Sequence, residues 1–109
     1  MAKIIDVWTQ HPTARFLAGP CFDPLRRWVG QSLREVPLDV TAETVRSAGV
    51  ERALLSAWHG PQGPLISNRE VLEATRRHPE LFFGVAAVDL RARSWPRRQR
   101  RDACRQYPG

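Results

Sequence analysis

Apolar positions fall into short runs separated by loops, and the period of those runs alternates along the chain. Residues 3–8 (KIIDVW) form a strand-like run in which β-branched Ile4, Ile5 and Val7 suit a pleated surface and Asp6 interrupts it. Residues 9–20 read as a loop, with Pro12, Gly19 and Pro20 as breakers. Asp23-Pro24 then looks like a helix start, an N-cap acid followed by proline at the first helical position. Leu25 and Trp28 lie three apart on one face, and Gly30 is the stop. Residues 41–48 (TAETVRSA) predict a second helix: Ala42, Val45 and Ala48 share a face, and Gly49 sits where a left-handed cap residue would.

Residues 53–58 (ALLSAW) predict the second strand, which barely alternates, as expected of a parallel strand covered on both faces. Residues 59–66, with two Gly and two Pro, read as a loop. Ser67 and Glu70 make a capping-box pair, with Asn68 as a rival cap. In the helix they open, Val71, Leu72 and Thr75 would face a core and Arg69, Arg76 and Arg77 would face water, until His78-Pro79 ends it. Residues 81–88 (LFFGVAAV) predict a third buried strand. The order β-(αα)-β-α-β predicts a parallel α/β sheet needing helices on its faces.

The pattern stops at Arg91. Residues 1–90 hold ten Lys/Arg and ten Asp/Glu, whereas residues 91–109 hold seven Arg and one Asp, so the whole net charge of +6 sits in the last 19 residues. Residues 1–90 are thus a neutral body, one domain, and residues 91–109 a basic tail expected to be disordered or out of frame. A frameshift would leave such a tail; genomic DNA beyond codon 90 that encodes no further strands and helices in another frame would contradict that. The cluster at residues 97–101 (RRQRR) would suit an anionic partner or a localisation signal. It has no aromatic interleaving and no basic complement in the body, so nucleic-acid binding is the alternative rather than the main expectation.

With 42% hydrophobic and 26% charged residues, the whole is not expected to be disordered. The longest apolar run is eight residues, against the ~20 of a membrane span, and the N-terminus lacks a signal-peptide core. Cys21 and Cys104 have no motif spacing. These features predict a cytoplasmic protein without membrane partners. The GPQG of residues 60–63 matches no phosphate-loop pattern. Trp28 and Trp58 read as packing residues rather than a stacking platform.

Three segments resemble the N-terminal part of the amidohydrolase-related (amidohydrolase 2) family, relatives of aminocarboxymuconate-semialdehyde decarboxylase. IIDVWTQHP (residues 4–12) is similar to its opening strand, and SAGVERALLSAW (47–58) to its second βα unit. SNREVLEATRRHPELFFGVAAVDL (67–90) resembles its Asn-initiated helix, His-Pro break and Phe-Gly strand. The resemblance implies a (β/α)8 TIM-type barrel of which this chain holds the first three βα units, incomplete. It implies a hydrolase or decarboxylase of the metal-dependent hydrolase superfamily, acting on small carboxylate or cyclic substrates, usually around a divalent metal such as zinc.

Members of that family typically take metal ligands from a His-x-His at the end of the first strand. Aligning Asp6 with the family's Asp places Trp8 and Gln10 at those two positions, with His11 one further on. Indole cannot ligate zinc and an amide is a poor substitute, so no cofactor is expected in this fragment. The candidate pocket is Trp8, Gln10, His11 and His59, which the barrel geometry would gather on one rim. His11 and His59 would be proton-transfer groups or ligands, or loop histidines with structural hydrogen bonds. Asp6 would support that site from behind, or act as an acceptor for neighbouring backbone N–H groups or an arginine. The truncated fragment is expected to be inactive, with unpaired sheet edges that favour homo-association.

Overall fold

A computed structural model describes residues 3–30 and 32–90. The predicted tail, with its arginine cluster and Cys104, lies outside the described residues.

Three parallel strands form the central sheet: β1 (Ile4–Thr9), β2 (Val50–Ser56) and β5 (Phe82–Val85), in the order β1-β2-β5. Between β1 and β2 come α1 (Ala14–Ala18), a 3₁₀ turn (Pro20–Phe22), α2 (Asp23–Val29) and α3 (Leu38–Ser47). Between β2 and β5 come β3 (Trp58–Gly60), β4 (Gly63–Ile66) and α4 (Asn68–Arg77). The mixed α/β class and parallel pairing follow the expected pattern. The three strands close no barrel.

The helices begin and end where local chemistry dictates. Ser67 accepts the Glu70 N–H at 3.2 Å while the Glu70 carboxylate accepts the Ser67 N–H at 2.8 Å, so Ser67 is the cap of α4. Asn68, the rival cap, becomes the first helical residue. Its amide instead donates to the Ala87 carbonyl and accepts the Ala87 N–H, both at 2.9 Å, fastening the chain after β5 to the start of α4. Gly30 (φ 67°) ends α2 in the left-handed region, and Gly49 (φ 80°) turns the chain from α3 into β2.

Several expectations need correction. The loop over residues 9–20 contains α1: the Thr13 hydroxyl accepts the Phe16 N–H at 3.1 Å, a cap hidden by the nearby Pro12 and by the helix's five-residue length. The loop over residues 59–66 is the antiparallel hairpin β3-β4, whose short strands carry too few residues to show a period. The second helix starts at Leu38 rather than Thr41, β2 starts at Val50, and Trp58 belongs to β3. Trp28 is not a packing residue; it is 85% exposed on α2. Trp58 does pack, with ring centroids 5.3 Å from Phe16 and 6.0 Å from Phe22.

The sheet is covered on one face, not both. Helices α3 and α4 bring Ala42 and Ala74 against Ala53, Leu55, Leu81 and Phe82, all buried, with Leu38, Val45 and Val50 at the margin. Burying Leu55, Leu81 and Phe82 stabilises the fold by about 1.5–3 kcal/mol each. Phe16, Ile66 and Val71 form a second cluster under α1 and the hairpin. Among the described residues the opposite sheet face is bare. Register places Ile5 beside Arg52, Leu54 beside Phe83 and Ser56 beside Val85 on it. Between the pairs Asp6/Ala53 and Thr9/Leu55, β1 has two residues where β2 has one. This bulge sets both Val7 and Trp8 opposite Leu54, on the bare face.

A polar clamp joins α3 to the end of α4 and to the turn that leads into β5. His78 Nε2 lies 2.9 Å and Arg77 3.0 Å from Asp39, and Arg46 pairs with Glu80. Most of these side chains are exposed, so each pair contributes little to stability.

Candidate functional site

Because β1 and β2 run parallel with Thr9 beside Leu55, the chain leaves both strands on the same edge of the sheet. Residues that follow β1 and β2 therefore share a rim. Trp8, Gln10, His11 and His59 all lie at or just beyond these strand ends, yet no hydrogen bond, ion pair or ring contact joins them to one another among the described residues.

Asp6 organises the end of β1. One carboxylate oxygen accepts the Trp8 N–H at 2.9 Å and the other the Thr9 hydroxyl at 2.7 Å. The Trp8 N–H, and then the Thr9 hydroxyl, hold its pKa below the usual carboxylate value. The bulge is thereby pinned, and the Trp8 indole projects into solvent. Gln10 is half-buried, and its side chain makes no hydrogen bond among the described residues.

His11 reaches inward. Its Nδ1 lies 2.9 Å from the Thr41 hydroxyl on α3, and the ring borders a cavity of about 20 Å³ with Thr13, Leu55, Ile66, Glu70 and Val71. Burial pushes its pKa down, against the opposing fields of Glu35 and Glu70. A neutral imidazole is the favoured form, able to accept a proton, but one nitrogen is engaged by Thr41. His59 sits in β3 opposite Pro64, and its Nδ1 is buried without a hydrogen-bond partner among the described residues.

Sequence reasoning missed the neighbours of these side chains. A cleft of about 650 Å³ opens between residues 15–21 and the hairpin residues 60–65. Its walls are mostly apolar, with Arg15 as the cation. The Thr13 hydroxyl donates to the Leu65 carbonyl at 2.6 Å and so ties the start of α1 to the hairpin, the two elements that form the cleft. Arg15 pairs at 2.5 Å with Glu70. Burial alone would raise the Glu70 pKa; the Ser67 N–H and Arg15 outweigh it and hold the carboxyl below its usual range. Thr13 as a cap was the one available signal for this cleft; the hairpin wall gave none.

Among the described residues no group of three or more His, Cys, Asp and Glu is placed to hold a metal ion. Likewise no described helix is long and apolar enough to cross a membrane. The chain matches no family model, and no curated protein or solved structure matches it either.

Proposed function

We propose that residues 3–90 are the opening βα units of a (β/α)8 barrel of amidohydrolase-related type, and that their rim forms one wall of a pocket for a small carboxylate or cyclic substrate. The winding of the sheet carries this reading. Successive parallel strands are neighbours in chain order, and both α3 and α4 pack on the same face. Right-handed crossovers that always advance in one direction give that arrangement, as in a barrel; a doubly wound sheet reverses and places helices on both faces. The apolar face left bare is the one a closed barrel fills with its interior side chains.

In this reading the three strands hold no complete catalytic set. Trp8 offers no ligand and Gln10 a poor one where metal-binding histidines would stand. His11 contributes a neutral imidazole at the rim, and the residues that would act on it belong to later strands.

The test is turnover. The purified full chain is offered a panel of small carboxylates and cyclic amides with and without Zn²⁺, alone and with a polypeptide comprising the last five βα units of an amidohydrolase-related barrel. No turnover alone and one-to-one assembly with the complementary units are expected. Turnover by the chain unaided, or failure to assemble, overturns the proposal.

A further inference from the structure

The bare sheet face is an interaction surface, and we infer that it docks a second copy of this chain, sheet against sheet. Ile5 (57% exposed), Val7 (73%) and Trp8 (71%) from β1, with Phe83 (51%) and Val85 (39%) from β5, surround Leu54 on one side of the molecule. At the full aromatic area of ~150–250 Å², and somewhat less for the aliphatics, these side chains expose about 500 Å² of contiguous apolar surface. That is the upper range of what a soluble monomer leaves uncovered. It is also what a homodimer uses: a standard interface takes ~800 Å² per partner, about 65% of it apolar in homodimers, which is roughly 500 Å².

Charge does not oppose the pairing of two bodies. Residues 1–90 hold ten cationic and ten acidic side chains. The single charged residue that register places on the bare face, Arg52, is already engaged. Its guanidinium donates to the Glu80 carbonyl and lies 5.3 Å from the centre of the Phe83 ring. It can stay there, at the N-terminal end of the strands, while the apolar remainder meets its copy. Two such faces pack at ~10 Å with their side chains interdigitated. The Val7–Trp8 bulge widens the contact, because it turns two neighbouring side chains of β1 to the same side. This inference stands on the exposed face alone. It does not depend on the barrel proposal, whose readouts are turnover and assembly with complementary units.

Sedimentation equilibrium of the full chain at physiological salt, over roughly 10–100 µM so as to span a micromolar Kd, tests it. Twice the single-chain mass is expected. Val7→Lys and Val85→Lys each replace a side chain exposed in the single chain, so far-UV circular dichroism should be unchanged while Kd rises at least about tenfold. A single-chain mass over the whole range overturns the inference. So do lysine variants that pair as well as the parent, which would put the contact at the sheet edges, and so does open-ended growth.

Discussion

Replacing Asn68 by alanine should loosen the junction between α4 and the chain after β5 and little else. The Asn68 amide makes two hydrogen bonds of 2.9 Å with one residue, donating to the Ala87 carbonyl and accepting the Ala87 N–H. It thus completes the backbone pairing of a strand with a side chain. Ala87 is half-buried, so water replaces only part of what is lost. At ~0.5–1.5 kcal/mol net for each neutral hydrogen bond, Asn68→Ala should cost about 1–3 kcal/mol. In a domain of this size that lowers Tm by roughly 4–8 °C per kcal/mol. Asn68→Asp is the control: it keeps the acceptor for the Ala87 N–H and adds a charge at the helix N-terminus worth ~0.3–1 kcal/mol, but sets an oxygen against the Ala87 carbonyl. It should fall between parent and alanine. Urea midpoints measure the global effect, and hydrogen exchange at the Ala87 amide measures the local one. An Asn68→Ala variant within about 0.3 kcal/mol of the parent, or an Ala87 amide exchanging at the parent's rate, refutes the reasoning.

Two further predictions concern the core and pH. Phe82 is fully buried against Ala53 and the α3–α4 side of the sheet, so Phe82→Ala should cost about 3–5 kcal/mol by chemical denaturation, enough to unfold much of the population. Stability should fall in acid in two stages. Burial lowers the pKa of His11 from 6.5, so the unfolded chain takes up that proton more readily; stability is full above 6.5 and declines as pH drops below it. Asp6, Glu70, Asp39 and Glu80 have folded pKa values below their ordinary 3.8 or 4.5, so their contribution is complete above those values and is lost as pH falls through the lowered ones. Urea midpoints that stay level or rise from pH 7 to pH 4 contradict this, and His11→Gln should flatten the first stage alone.

What could be read from the residues alone was what neighbours in sequence decide. Ser67 and Glu70 announced the start of α4, Gly30 and Gly49 marked the left-handed ends of α2 and α3, and the unbroken apolar stretches around Leu55 and Phe82 signalled parallel strands. Each depends on contacts within a few residues. The same local logic placed Trp8, Gln10, His11 and His59 at or just beyond strand ends, since parallel pairing puts those ends on one rim. It could not say what each side chain meets. Thr41 beside His11 is thirty positions away, and His59 faces Pro64 only because the chain turns back on itself as a hairpin. Tertiary structure alone decided that one sheet face is open among the described residues. Apolar runs of the same composition serve a strand covered on both sides and a strand covered on one, because composition records how much surface needs cover and not which element arrives to cover it. The bulge at Val7–Trp8 arises in the same way, from the offset between β1 and β2, a relation between distant segments that no single stretch of chain encodes.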